Sequence, residues 1–277
     1  MKKPILLVLI LAAGVTAGLY SLPKVVVQTK EKQLGAGALA TKPGATTTSA
    51  AVAAQHNEPL SADKQQQLTL LKQRLSTADA TDKTTATAQL IDLFRSVSRY
   101  DSAAYYAGLL AKIDPTDLNI LRAGDLHFEA FNFAVDDQKA ADLGQKTRDL
   151  YKQVLAKNPD LLAVKANLAM TYVNTPTPMQ GIMLLREVLT EDPTNELALF
   201  NLGMLSMRSG QHSKAIERFR QILVNNPDNR KAQFYLAVSL VETNQKADAR
   251  KMLAQVKANE KDPQILAAVQ ELEEKLK

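Results

Sequence analysis

The sequence predicts an all-helical solenoid built from repeated helix pairs, and three observations predict it. Ala and Leu abound, Trp is absent and aromatics make up 5% of the 277 residues. That balance favours helices, because Ala and Leu lose little on entering one, whereas strands favour β-branched and aromatic residues. A turn signal also recurs: Asn158-Pro159-Asp160, Asp192-Pro193-Thr194 and Asn226-Pro227-Asp228 place their prolines 34 residues apart. Asp262-Pro263 follows after 36 residues and Asp114-Pro115-Thr116 precedes by 44. Finally, small residues recur in the same register between the turns. A fixed period of this length marks helix-turn-helix units that cannot bury their apolar faces alone and stack to do so.

The stretch 196–227, ELALFNLGMLSMRSGQHSKAIERFRQILVNNP, carries Leu202-Gly203 in its first helix and Ala215, Phe219 and Pro227 downstream. These residues resemble the tetratricopeptide repeat (TPR) family, with Ile222 standing where a small Ala is usual. The neighbours keep the pattern, with Leu168-Ala169-x-x-Tyr172 and Leu236-Ala237-x-x-Leu240 in helix A, and Gly181-x-x-x-Leu185 and Ala249-x-x-x-Leu253 in helix B. Small residues let helices A and B of one unit approach closely, large ones fill the gap to the next unit, and the proline closes helix B. The resemblance implies an all-α, right-handed superhelical solenoid with units at 82–115, 117–159, 161–193, 195–227 and 229–262. In the first unit, helix A is expected over 84–97, before Asp101-x-Ala103-x-x-Tyr106. The second holds extra residues around 135–146, predicting a lengthened helix B or a longer loop. Its helix A matches best with Gly124 at the family's Gly position, which puts His127 where a Tyr is usual. Two flanking helices complete the domain 60–277: one at 61–77, with Leu68, Leu71 and Leu75 on one face, and a polar-faced cap at 264–276 of the kind a solenoid end needs.

Ahead of the repeats, Met1-Lys2-Lys3 forms a basic start and residues 4–22 form an uncharged, largely apolar run. As a helix the run would span about 28 Å, close to the roughly 30 Å of bilayer hydrocarbon. It reads as a transmembrane anchor; the alternative is a cleaved signal peptide with Val15-Thr16-Ala17 as its small-residue site. A basic start before an apolar run leaves the N-terminus in the cytoplasm and the body outside, in a bacterial periplasm, and cleavage would deliver it to the same compartment. Gly14 and Gly18 form a GxxxG, a motif that allows two anchors to pair as a weak homodimer. Residues 23–59, rich in Ala, Thr and Gly, read as a flexible linker, whose 33–58 stretch would reach about 25–30 Å by random-coil scaling.

Charge and chemistry exclude several classes. Six lysines against Glu31 and Glu58 give residues 1–58 a charge of +4, which leaves +1 of the total +5 for the rest. A nearly neutral body lacks the clustered positive charge that nucleic acid requires. The chain has no Cys, hence no disulfide, Cys-ligated zinc or Cys nucleophile. It carries no Walker-type loop, no HExxH and no GxSxG; Gly14-x-Thr16-x-Gly18 approaches the last but lies inside the apolar run. His56, His127 and His212 are scattered, and His127 is expected to pack beside Phe128 and Phe131. Asp101, Asp160 and Asp228 read as helix caps or first-turn residues. No catalytic, metal or cofactor residue is predicted, and the chain is read as a non-enzyme.

The resemblance implies that helix A of each unit lines the concave face, with the second, fifth, ninth and twelfth residues exposed there. These are Ala163, Ala166, Met170 and Val173; then Leu197, Phe200, Met204 and Met207; then Lys231, Phe234, Val238 and Val241. Family members that clamp a C-terminal carboxylate use Lys and Asn at the fifth and ninth positions, and apolar residues stand there instead. The predicted partner-binding groove is Met170, Val173, Leu197, Phe200, Met204, Met207, Phe234, Val238 and Val241, adapted to an apolar or amphipathic segment of an unidentified protein. The competing expectation is that these residues pack within the chain itself. The reading is a membrane-anchored scaffold; the alternatives are a self-associating structural protein and an assembly factor for exported proteins, similar to TPR modules in cytochrome maturation.

Overall fold

The computed structural model describes residues 59–77 and 79–277. The expected anchor or signal at 4–22, the GxxxG, most of the linker and His56 lie outside the described residues. Those described form twelve helices and no strand: α1 Ala62–Thr77, α2 Ala80–Arg95, α3 Tyr100–Ile113, α4 Asp117–Phe133, α5 Asp137–Lys157, α6 Leu162–Met170, α7 Pro178–Glu191, α8 Glu196–Arg208, α9 His212–Asn225, α10 Arg230–Glu242, α11 Lys246–Asn259 and α12 Pro263–Lys275. Each helix packs mainly on the one before and the one after, so α2/α3, α4/α5, α6/α7, α8/α9 and α10/α11 are successive A/B pairs. Along the second half, α6, α8, α10 and α12 also touch one another in sequence, whereas no two B helices make comparable contact. The A helices therefore form the inner, concave row.

Close approach within a pair rests on matched side-chain volumes. A Cβ on Gly203 of α8 would lie 2.7 Å from the ring of Phe219 in α9, and a Cβ on Gly124 of α4 would lie 2.7 Å from the ring of Tyr151 in α5. Both rings are fully buried. Where helix A carries Ala instead, helix B carries a smaller buried residue: Ala169 with Leu185, and Ala237 with Leu253. Below that contact a second small residue lets the helices touch; a Cβ on Gly181 would come within 2.4 Å of the Ala169 carbonyl oxygen. Three residues beyond Leu185, Phe219 and Leu253, α7, α9 and α11 bury Val188, Ile222 and Val256, which pack toward the next unit.

The helix ends follow the turn chemistry, with corrections. Helices α3, α5, α7 and α9 stop one residue before Asp114, Asn158, Asp192 and Asn226, each followed by proline. Pro263 differs: it opens α12 at its first position, where a missing N–H costs nothing. Asp160 and Asp228 are not caps. The cap position falls one residue later, so Asn229 accepts from the Ala232 amide, just as Asn195 accepts from that of Ala198, while Leu161 begins α6 with no side-chain cap. Helix α2 runs over 80–95 rather than 84–97 and is capped by Asp79.

Two departures shape the middle of the stack. The extra residues of the second unit lengthen α5 to 21 residues, against 14 in each other B helix. Helix α6 is short, 9 residues against 13 in α8 and α10. Thr175-Pro176-Thr177-Pro178 follows it, and residues before proline are steered out of helical geometry. The released Thr171 carbonyl accepts a hydrogen bond from Arg148 Nη1 at 2.7 Å, and the same guanidinium lies 5.2 Å from the Tyr172 ring centroid. A buried arginine of α5 thereby caps the end of α6 and links the second unit to the third.

The A/B contact predicts a specific sensitivity. Ala215 of α9, fully buried, occupies the place that Gly181 holds in α7. Replacing it with Leu should lower the unfolding free energy by about 1–3 kcal/mol, read by urea denaturation followed by circular dichroism, because the added carbons meet the backbone of α8.

Candidate functional site

A concavity lies on the inner face between α4 and α6, A helices that do not pack on each other. It encloses about 850 Å³. Leu121, Phe128, Leu162 and Val164 supply its apolar walls, and Arg95, Arg122, Asp125, Glu129, Asn132, Asp160 and Asn167 its polar lining.

Tyr151 gives the cavity its polar floor. Its side chain is rooted on the outer helix α5, passes over Gly124 and delivers its hydroxyl to the inner face, where it donates to Asp125 Oδ1 at 2.8 Å. Burial, and then the Asp125 charge, push the Tyr151 phenol far above the usual tyrosine range, so it stays a donor at any physiological pH. Burial pushes the Asp125 carboxyl up as well, while the Tyr151 hydrogen bond pulls it back. The equivalent residues of the other B helices, Leu185, Phe219 and Leu253, have no hydroxyl to offer. Around this pair the arginines are matched: Arg95 lies 3.3 Å from Glu129, and Arg122 lies 2.9 Å from Asp92 of the preceding unit.

The predicted groove residues divide. Phe200, Met204, Met207, Val238 and Val241 are half-buried along α8 and α10 and pack against the C-terminal core, while Met170 packs half-buried against the neighbouring core of α6 and α7. Leu197 is exposed, at 38% of its surface. Two expectations fail. Phe234 is 5% exposed and belongs to the core, its ring 5.4 Å from that of Tyr235. Tyr235, the next residue, takes the partly exposed position and stacks edge-on with Phe200 at 5.5 Å. Val173 is not on a groove helix at all, because α6 ends at Met170 and Val173 lies in the turn beyond. Of the smaller groove positions, Ala166 is fully buried.

Reading the same register back from Gly124 locates what the groove prediction left out. The second, fifth, ninth and twelfth positions of the second unit are Leu118, Leu121, Asp125 and Phe128, and the last three line the cavity. The Tyr151 hydroxyl has no such signal, since only the packing of α5 on Gly124 shows where it emerges.

On the opposite side, α3 and the long α5 enclose a second cavity of about 520 Å³ with His127 at its base. His127 is buried; its Nδ1 bonds the Ala123 carbonyl oxygen at 2.8 Å, and its Cε1 would meet a Cβ on Gly108 at 3.3 Å. Its packing thus involves α3 rather than only Phe128 and Phe131. Among the described residues no group of His, Cys, Asp and Glu is arranged to hold a metal ion, and no helix is long and apolar enough to cross a membrane.

Residues 179–253 match a family model described as surface lipoprotein assembly modifier, N-terminal TPR repeats. No curated protein matches the sequence. Among solved structures, the thermophilic TPR protein TTC0263 of Thermus thermophilus is similar with a TM-score of 0.52 and 15% identity, over 68% of this chain and 98% of its own. The fold is a TPR solenoid. Two further structures are similar at lower TM-score. MamA 41-end from Desulfovibrio magneticus RS-1 has 0.49 with 14% identity, over 64% of this chain and 95% of its own. YrrB, titled a TPR protein with an unusual peptide-binding site, has 0.45 with 14% identity, over 73% and 97%.

Two polar groups of the TPR solenoid, Asp125 and His127, generate expectations. Tyr151→Phe should raise the Asp125 carboxyl further, seen by carboxyl NMR titration, and cost about 0.5–1.5 kcal/mol, because it removes the hydrogen bond that holds that carboxylate. The second concerns His127, whose imidazole is held below the ordinary histidine range, first by burial and then by the charge of Lys146. The unfolded chain therefore takes up this proton before the folded one, and stability falls as pH drops through the histidine range. Calorimetry should find a smaller loss of Tm between about pH 7 and pH 5 in His127→Gln than in the parent.

Proposed function

We propose that this chain is a membrane-anchored TPR scaffold that docks a segment of another polypeptide on its concave face. The single observation carrying this reading is the open inner cavity between α4 and α6, a concave site of the size that takes side chains, presented by the A-helix row. The half-buried Met170, Phe200, Met204 and Met207 on the same row add an adaptable apolar surface. A fold of stacked helix pairs presents such faces as binding surfaces, which fits a protein-binding rather than a catalytic role.

The apolar, uncharged run 4–22 and the linker behind it support tethering at a bacterial inner membrane with the repeats on the periplasmic side. The match of 179–253 to the repeats of a surface lipoprotein assembly modifier supports the related reading of an assembly factor for exported proteins.

Affinity capture with the full-length chain in detergent tests the docking face. Phe200→Glu combined with Met204→Glu should remove the captured proteins while keeping the helical circular dichroism spectrum, with a lower Tm because both side chains pack against the C-terminal core. Retention of every partner by the folded double variant would show that docking does not use this face.

A further inference from the structure

The concave face changes character along the solenoid. At the ninth position of helix A, three successive units present Met170, Met204 and Val238, but the unit before them presents Asp125 and the first presents Asp92. Asp92 is neutralised by Arg122, and the other cavity arginine, Arg95, by Glu129. Asp125 makes no ion pair among the described residues; its partner is the neutral Tyr151 hydroxyl. Asp160, at the turn before α6, adds a second carboxylate to the cavity wall. The positive charges lining the cavity are thus already matched, and the charge left over is negative.

We propose that the cavity between α4 and α6 is a subsite for one cationic side chain, Lys or Arg, of the docked polypeptide, with Asp125 as its counter-ion. This rests on the docking reading above and specifies its partner: an apolar or amphipathic segment with a basic residue offset to the N-terminal side of the groove. The chemistry of the walls fits. Leu121, Leu162 and Phe128 on the walls can cover the methylene stem of a lysine or arginine. Asp125 is exposed to the cavity, where a cation can reach its carboxylate. The Tyr151 hydroxyl fixes one carboxylate oxygen and leaves the other for the ligand. A segment ending in a carboxylate or carrying Glu at this place meets Asp125 as a like charge and is rejected.

The test is selection of a displayed library of random short peptides on the full-length chain in detergent, with the parent, Asp125→Asn, and the Phe200→Glu, Met204→Glu double variant in parallel. Asp125→Asn keeps the shape and an acceptor for the Tyr151 hydroxyl, and an unchanged Tm confirms that it folds. The parent pool should be enriched in apolar residues with Lys or Arg at one position. The Asp125→Asn pool should keep the apolar enrichment and lose the basic one. Replacing that lysine by norleucine in the leading peptide should weaken binding to the parent about three- to tenfold and leave binding to Asp125→Asn unchanged. Equal basic enrichment in both pools, or no coupling between the two replacements, would overturn the cationic subsite while docking stands. A parent pool with neither enrichment would overturn the docking reading together with the subsite.

Discussion

Everything in this solenoid depends on how close two helices of a pair can come. The controlling quantity is the summed volume of one residue on helix A and one on helix B. Gly203 admits Phe219, Gly124 admits Tyr151, and where helix A has Ala169 or Ala237 the B helix carries Leu185 or Leu253. Protein interiors are close-packed, so an extra carbon on either side must move a helix rather than fill a void. Because each unit leans on the next, such a displacement passes along the stack instead of staying local.

The same constraint places the chemistry. Tyrosine and phenylalanine fill nearly the same space above their glycines, yet only Tyr151 ends in a donor. In a B helix that would normally contribute nothing to the inner face, one hydroxyl emerges there and meets Asp125. The cavity around it is bounded by Leu121, Asp125 and Phe128 of α4 and by residues 160–164 and Asn167 at the start of α6. The Arg148 side chain adds to the apolar cluster of Tyr151, Val164, Leu168 and Tyr172 at this junction, and the concave face is more polar in its first half than in its second.

How much of this could be read in the residues differs from element to element. The period of 34, the Asn/Asp-Pro turns and the small residues predicted a chain of helix pairs, because each is a local signal tied to a helix end or a helix contact. The cap residues were displaced by one position, since Asp228 and Asn229 are both good caps and the winner depends on where the chain turns. Phe234 was placed on the groove by register and is buried, because the packing of α10 on its neighbours turns that position into the core and leaves Tyr235 partly exposed. Asp125 was legible, since the register that identified Gly124 also points to it.

The sequence alone determined the helix pairs, their order and which residue of each pair is small, because those properties are set by neighbours three, four or a few tens of residues away along one chain. Only the tertiary structure decided that α6 ends at Met170, that Arg148 caps it, and that the Tyr151 hydroxyl reaches Asp125 across two helices. Those are meetings between side chains whose directions are fixed by how the second unit packs on the third, and no periodicity in the chain records that angle.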